Sequence, residues 1–299
     1  MPNLLADLVA RALQRAAAPK LKPELRFPEI PGRLGHATVP TRHGPVACTL
    51  YRPAGGEPGG EHRPAVHVNV HGGGFVLRNP EQDDPWCRYL ADRAGVVVVN
   101  VDYDTAPQRR FPVPVEQVHD VLRWAAEQDE WDGARLSVGG QSAGGALSAA
   151  AARLARDCGG PQLSLQVLHY PPLDLVTPAA EKRSPIARPV LRPWMARVFD
   201  AAYVPRRADR RDPLASPAWG ANAEDLAGIA PAVVVTCEHD LLRAEAVDYA
   251  RALERVGALR EHREVAGTDH GYNVMSHGTR ERTEPVYAFL AEQVRRAVA

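Results

Sequence analysis

An α/β fold, with a mostly parallel central sheet and helices on both faces, is predicted by the order of patterns along this 299-residue chain. From residue 65 onward, short β-branched runs alternate with stretches of helical periodicity. Such alternation is typical of parallel strands joined by helical crossovers. A chain of this length can bury one large core without dividing in two. We therefore expect one main domain with insertions.

The predicted strands and helices follow one another regularly after residue 65. Each strand is a short apolar run, and each helix has apolar residues at helical spacing. The strand runs are "AVHVNV", "VVVVNVDY", "RLSVGG", "LQVLHY", "AVVVTC" and "EHREVAG". The helices are expected at residues 83–93, 114–127, 143–157, 243–256 and 284–297. Upstream, the glycine-rich "AGGEPGGEH" at residues 54–62 predicts a surface turn between strands.

The first 45 residues precede this core, and we predict that they form part of a cap. Apolar residues recur at helical spacing in this segment, at Leu4, Leu5, Leu8, Ala12 and Leu13. They predict an amphipathic helix over residues 3–17 whose apolar stripe packs against another part of the protein. Docking on the core and covering a ligand cleft are both open at this point.

A second segment, residues 177–217, interrupts the alternation. It is rich in Pro and Arg and contains helical stretches but no predicted strand. An insertion at the carboxyl edge of the sheet lies where open α/β sheets bind their ligands. We therefore assign residues 46–176 and 218–299 to the core, and we expect 177–217 to be a cap insertion that forms a lid with residues 1–45.

The composition favours a small neutral substrate over a charged partner. Thirty-six Lys and Arg balance thirty-six Asp and Glu, so no net field attracts nucleic acid or an anionic membrane. The four cysteines have neither CxxC nor CxxH spacing, which argues against a zinc site and a disulfide framework. No apolar run approaches the roughly 20 residues of a membrane span, and the N-terminus lacks a secretory signal's pattern. We expect a cytoplasmic protein.

The first candidate for chemistry is Ser142, in the sequence "GGQSAGG". Gly140-Gln141-Ser142-Ala143-Gly144 is a G-x-S-x-G between a predicted strand and a predicted helix, the setting of a nucleophilic serine on a sharp turn. A phosphate-binding loop and a tight packing turn are the alternatives. Neither a lysine after the glycines nor a G-x-G-x-x-G fingerprint is present.

A nucleophilic serine needs a base and an orienting acid. His270 follows the last predicted strand, and Asp240 follows the strand before it. Ser142, Asp240 and His270 then occur in the order nucleophile, acid, base. Glu238 is an alternative acid, and Asp240 is also placed to cap the helix that begins near Leu241. The weaker candidates for the base are His239, His262 and His277.

The run "HGGGF" after the first predicted strand suggests an oxyanion hole. Successive glycines allow main-chain amides to face a bound oxyanion, and we assign the hole to the amides of Gly73, Gly74 and Ala143. A plain glycine turn is the alternative. His67 and His71 would lie about 13 Å apart along a strand, too far for one ion. We predict neither a metal nor a cofactor.

Together these motifs resemble the bacterial esterases of the hormone-sensitive-lipase group, which have the α/β-hydrolase fold. The resemblance covers roughly residues 45–299. It rests on "HGGGF", "VDYDTAPQRRFPVPVEQ", "GGQSAGG", "YPPLDL", "DPLASP", "CEHDLLRAEAVDYARAL" and "DHGY". It implies Ser142, Asp240 and His270 as the catalytic triad, Gly73 and Gly74 in the oxyanion hole, and a two-part cap.

The resemblance implies a carboxylic ester hydrolase that acts on short- to medium-chain acyl esters through an acyl-enzyme. A serine amidase or deacylase with the same triad is the alternative, and a non-catalytic ligand receptor is a third. We expect a small-molecule ester as the partner and leave a homodimer open.

Three positions depart from the family pattern. Gln141 replaces an acidic residue beside the nucleophile, and Asp104 and Gln108 replace an arginine and a glutamate. Because position 141 lies near the expected histidine, its lost negative charge is expected to alter the local pKa and the hydrogen bonds of the loop.

Overall fold

The computed structural model describes residues 4–16, 21–53 and 63–299. Its strands are β1 (Arg33–Val39), β2 (Val46–Arg52), β3 (Ala65–Val70), β4 (Val97–Asp102), β5 (Asp132–Gln141), β6 (Leu165–His169), β7 (Ala232–Cys237) and β8 (Leu259–Val265). Its helices are α1 (Leu4–Arg15), α2 (Asp84–Ala94), α3 (Val113–Ala126), α4 (Ala143–Asp157), α5 (Pro193–Tyr203), α6 (Arg243–Arg255) and α7 (Arg280–Ala297). Short 3-10 turns include Pro80–Asp83.

The strands form one eight-stranded sheet in the order β1-β2-β4-β3-β5-β6-β7-β8. β1 and β2 are antiparallel to each other, and β2 is antiparallel to β4. The neighbouring strands from β4 to β8 are parallel. The predicted α/β class with a mostly parallel sheet is therefore confirmed. β1 lies inside residues 1–45. This segment therefore contains a strand of the sheet in addition to the helix α1.

Alternate strand residues build a core on each face of the sheet. Val97 and Val99 of β4 belong to one buried cluster, whereas Val98 belongs to the other. Alternation of this kind follows from the two-residue period of a strand, and burial on both faces explains the continuous valine run. The sheet is therefore covered on both sides, and its open edge is where the strands end.

The helices begin and end close to their predicted bounds, with one larger difference. α7 begins at Arg280 rather than at residue 284, and it includes Pro285. A proline favours a place in the first turn of a helix, which makes an earlier start hard to predict. The predicted turn at residues 54–62 lies outside the described residues. Among the described helices, none has an apolar stretch long enough to cross a membrane.

The orientation of α1 differs from the prediction. Its apolar stripe was expected to pack, but Leu4, Leu5 and Leu8 are 74%, 71% and 65% exposed. The buried residues are instead Ala6 and Ala10, and α1 packs beside α5. Small side chains allow two helices to approach closely. The alanines therefore lie on the packed face of α1, whereas Leu4, Leu5 and Leu8 lie on its exposed face.

Candidate active site

Ser142 lies on a sharp turn between the end of β5 and the start of α4. Its φ angle is 53°, in the left-handed region that side chains other than glycine seldom adopt. A Cβ atom at Gly140 or at Gly144 would overlap the backbone carbonyl of Val70. Both flanking glycines are therefore required by the close approach of β3. The turn directs the serine toward the carboxyl edge of the sheet.

The structure brings Ser142, His270 and Asp240 together. Ser142 Oγ lies 2.9 Å from His270 Nε2, and His270 Nδ1 lies 2.7 Å from Asp240 Oδ2. All three residues follow strands whose carboxyl ends meet at one edge, after β5, β7 and β8. The chain of hydrogen bonds runs from a hydroxyl through an imidazole to a buried carboxylate.

The alternative residues lie in other contacts. Glu238 accepts the backbone N–H of Gly267 at 2.6 Å, and His262 Nε2 lies 3.0 Å from the hydroxyl of Thr236. The imidazoles of His239 and His277 are likewise not hydrogen-bonded to Ser142 in the described part of the chain. Asp240 combines both of its expected roles, because its Oδ1 accepts the N–H of Leu242 at 3.0 Å.

The environment of His270 favours its protonated form. Burial lowers the pKa of the imidazole, but the charge and hydrogen bond of Asp240 and the charge of Asp269 outweigh it, so the pKa of His270 is raised above 6.5. The ring edge also meets the ring of Tyr170, with the centroids 4.9 Å apart. A base of this kind can take a proton from Ser142 and hold it beside Asp240.

The glycine loop after β3 lies beside the serine. The φ angles of Gly73 and Gly74 are 132° and 60°, which require glycine. His71 fixes the start of the loop, because its ring stacks on Tyr103 with centroids 4.3 Å apart and its Nδ1 lies 2.6 Å from Gly72 O. Within the described residues, no acceptor is hydrogen-bonded to the amides of Gly73, Gly74 or Ala143. These N–H groups are therefore free to meet a ligand.

A cavity of about 1120 Å³ opens above these groups. Ser142 and His270 form part of its wall together with the glycine loop. Leu13 of α1 and Phe199 of α5 contribute from the two segments outside the predicted core. The ring of Phe199 lies so close to Gly74 that a Cβ atom there would be 2.5 Å from it. Within the described ranges, no group of three or more His, Cys, Asp or Glu side chains could hold a metal ion.

Gln141 belongs to a buried polar cluster that the sequence patterns did not predict. Its Nε2 donates to Asp83 Oδ1 at 2.5 Å, and its Oε1 accepts from Asn273 Nδ2 at 2.6 Å and from the Tyr170 hydroxyl at 2.5 Å. Asn69 Nδ2 donates to the other oxygen of Asp83 at 3.0 Å. Burial raises the pKa of Asp83 to about 7, although the hydrogen bonds from Asn69 and Gln141 lower it. Gln141, which stands where the family has an acidic residue, therefore contacts a carboxyl group from another segment.

The other two departures from the family pattern lie near α1 and α3. Gln108 Nε2 donates to Gln14 Oε1 of α1 at 2.9 Å. Asp104 Oδ2 accepts from Gln117 Nε2 at 2.8 Å. Gln108 thus helps to hold α1 in place, whereas Asp104 makes a contact within the core.

Comparisons with known proteins agree with this architecture. A family model described as alpha/beta hydrolase fold matches residues 67–274. The chain is 35% identical over 269 residues to carboxylesterase NlhH of Mycobacterium tuberculosis, a match that covers 88% of this chain and 80% of that protein. It is 36% identical over 250 residues to ethyl acetate hydrolase of Pseudomonas putida, which covers 80% of this chain and 73% of the relative.

Solved structures give the same result. An esterase from Pyrobaculum calidifontis superimposes with a TM-score of 0.80 and 31% sequence identity, over 98% of this chain and 99% of that one. The likeness therefore extends over nearly the whole chain, and not over the sheet alone. The chain belongs to the alpha/beta hydrolase fold family, and within it to the hormone-sensitive-lipase-like esterases that its motifs predict.

Proposed function

We propose that this protein is a carboxylic ester hydrolase in which Ser142 is the nucleophile, His270 the general base and Asp240 the acid that orients it. The observation that carries the proposal is the pair of contacts at the cavity wall, 2.9 Å from Ser142 Oγ to His270 Nε2 and 2.7 Å from His270 Nδ1 to Asp240 Oδ2. The relatives named as carboxylesterase and ethyl acetate hydrolase support the ester as substrate.

The first half-reaction forms an acyl-enzyme. Ser142 Oγ attacks the ester carbonyl carbon while its proton passes to His270 Nε2. The negative charge that develops on the carbonyl oxygen is met by the amides of Gly73, Gly74 and Ala143. The tetrahedral intermediate then collapses, the bond to the alcohol oxygen breaks, and the alcohol leaves with the proton from Nε2.

The second half-reaction releases the acid. Water gives a proton to His270 and attacks the acyl carbon, which forms a second tetrahedral intermediate at the same amides. Its collapse breaks the bond to Ser142 Oγ, and Oγ recovers the proton. Asp240 stays ionised and stabilises the imidazolium in both halves.

The apolar lining of part of the cavity supports a hydrocarbon acyl chain as ligand, and we propose chains of short to medium length. The wall formed by Leu191, Met195, Phe199 and Leu242 is apolar, and an apolar wall binds hydrocarbon better than water does. A p-nitrophenyl ester series from acetate to decanoate measures this preference. We expect kcat/KM to be highest within that series, at four to eight acyl carbons.

The proposal is tested by Ser142→Ala. Loss of the nucleophile is expected to lower kcat/KM for p-nitrophenyl butyrate by at least about 10³-fold. Ser164→Ala is the matched control, because Ser164 is a half-buried serine outside the cavity, and it keeps full activity. If Ser142→Ala retained a tenth of the activity, the nucleophile would be another group. Matched butyrate esters and butyramides separate an esterase from an amidase by their kcat/KM ratio.

The division into core and cap, with residues 1–45 and 177–217 as the cap, stays a prediction. It is supported by the contact of α1 with α5 and by the presence of both segments at the cavity. The cytoplasmic location and the homodimer also stay predictions.

A further inference from the structure

Asp200 is a buried carboxylate without a direct partner. It lies on α5, is 6% exposed and lines the cavity that contains Ser142. In the described part of the chain, neither a hydrogen bond nor a salt bridge reaches its side chain. Buried charges are normally paired, because an unpaired one is costly. The carboxylate is therefore available to a group that enters the cavity.

Lys182 supplies a donor to the same cavity. It comes from the insertion at residues 177–217, and its side chain is 7% exposed. Its Nζ donates to Asp174 O at 2.6 Å and pairs with Glu245 Oε2 at 2.5 Å. An ammonium has three N–H groups, so one remains after these contacts. Burial lowers the pKa of Lys182, but the charges of Glu245 and Asp200 and the hydrogen bond to Glu245 raise it overall, which keeps the ammonium charged.

Among the cavity-lining residues that come from segment 177–217, Lys182 and Asp200 are polar, and the others are apolar. Phe199, the residue before Asp200, lies against Gly74 of the glycine loop. Leu191 and Met195 pack beside it in one apolar cluster. A substrate whose carbonyl lies at the glycine loop therefore places its remaining atoms within reach of α5. A polar group on that part of the substrate would meet Asp200 and Lys182 as the polar side chains that segment 177–217 presents to the cavity.

The charges of Asp200 and Lys182 limit which polar group of a substrate can bind beside them. Glu245 balances the charge of Lys182 through direct contact, whereas in the described ranges no cationic side chain lies within salt-bridge distance of Asp200. Burial raises the pKa of Asp200 to about 6, and the charges of Lys182 and Arg210 lower it, so above pH 7 the group is an acceptor only. A carboxylate on the substrate would be repelled by Asp200, and an ammonium would be repelled by Lys182. A hydroxyl can donate to one and accept from the other.

We propose that Asp200, together with Lys182, forms a subsite that binds a hydroxyl group of the substrate, so that the preferred substrates are hydroxylated esters. This inference rests on the proposed hydrolysis at Ser142. An ester that lacks the hydroxyl would leave the buried carboxylate without a donor. Sites built to bind a substrate hydroxyl discriminate strongly against analogues that lack it.

The test compares esters that differ by one hydroxyl. The matched pairs are p-nitrophenyl 3-hydroxybutyrate with butyrate, p-nitrophenyl 6-hydroxyhexanoate with hexanoate, and glycerol 1-butyrate with propyl butyrate. For each pair, the ratio of kcat/KM is measured for the native protein, Asp200→Leu and Asp200→Asn at pH 8. The same hydroxyl is present for every variant, so its effect on the intrinsic reactivity of the ester cancels.

We expect the native protein to favour the hydroxylated member of at least one pair by tenfold or more. That ratio falls at least tenfold in Asp200→Leu and at least threefold in Asp200→Asn, whose amide oxygen still accepts. Asp200→Asn keeps the test decisive should Asp200→Leu fail to fold. Asp248→Asn, which removes an exposed carboxylate of α6 outside the cavity, leaves the ratio and the activity unchanged.

Two results would overturn the subsite. One is a native ratio near one in all three pairs, and the other is a ratio that neither Asp200 variant changes. Both are distinct from failure of the proposed function, in which the native protein would hydrolyse no member of any pair.

Discussion

Two buried carboxyls, Asp83 and Asp200, differ in what surrounds them. Asp83 accepts hydrogen bonds from Gln141, the residue before Ser142, and from Asn69. Asp200, on α5, accepts none from the described residues. Asp83 is therefore held by donors within the protein and has a structural role. Asp200 has no such donors and is available to bind a ligand. Burial alone does not separate these two roles.

Burial of the two carboxyls makes the free energy of unfolding depend on pH. Burial is the main cause that raises the pKa of Asp83 to about 7 and that of Asp200 to about 6. Both folded values lie above the ordinary 3.8 expected in the unfolded chain. The folded state therefore holds these protons more tightly, and the free energy of unfolding falls as pH rises. This fall in stability occurs between pH 3.8 and about 7 for Asp83, and between pH 3.8 and about 6 for Asp200.

The largest predicted effect comes from restoring an acid at position 141. Gln141→Glu keeps the shape of the side chain but places a second carboxyl 2.5 Å from Asp83, where the amide now donates. Two buried carboxylates repel, so we expect the free energy of unfolding at pH 8 to fall by about 3 kcal/mol. At pH 5 the loss shrinks, because a shared proton removes one charge.

Urea denaturation at both pH values measures this effect. Gln162→Glu is the matched control, because Gln162 is exposed. Equal stability of Gln141→Glu and the native protein at pH 8 would contradict the claim that Gln141 serves as a donor to Asp83.

The next prediction compares Asp83→Asn with Asp200→Asn. At position 83 an amide cannot accept from both Gln141 and Asn69, and one buried N–H loses its partner. We expect a loss of about 1–3 kcal/mol in the free energy of unfolding. At position 200 no donor is left unpaired and a buried charge disappears, so the loss is below about 1 kcal/mol or becomes a gain. Thermal and urea denaturation at pH 8 measure both variants, and an equal cost would remove the distinction between the two carboxyls.

The smallest effect concerns the pH dependence of hydrolysis. His270 must be neutral to accept the proton of Ser142, and its pKa is raised above 6.5 by Asp240. We expect kcat/KM to fall as pH drops through a midpoint above 6.5. Asp83→Asn should shift that midpoint little, because Asp83 does not contact His270. A midpoint below 6.5 in a profile from pH 5 to 9 would contradict the proposed influence of Asp240.

Much of the fold followed from local patterns, because burial on both faces of the sheet imposes continuous valine runs. The positions of Ser142, Asp240 and His270 were also predictable, since each follows a parallel strand and such strands end at one edge. Their catalytic roles stay a proposal. Sequence order therefore predicts which residues lie close together when those residues follow strands that end at the same edge of the sheet.

Contacts between distant segments were not predictable in this way. Asp83 reaches Gln141 from a short 3-10 turn 58 residues earlier, and no periodicity reports that approach. The helical spacing in α1 predicted an apolar stripe, but it could not show that Ala6 and Ala10 would be buried and Leu4 exposed. The packing of a helix depends on the shape of the element beside it, and the sequence of the helix alone does not specify that shape.

The central claim is that Ser142 is the nucleophile, and covalent labelling tests it most directly. In diethyl p-nitrophenyl phosphate, Ser142 Oγ would attack phosphorus and expel p-nitrophenolate, leaving a stable phosphoryl serine. Intact mass and peptide mapping are expected to find one adduct per chain, at Ser142, with hydrolysis lost in proportion. A folded protein that stays unlabelled, or that keeps its activity with Ser142 labelled, would contradict the proposal.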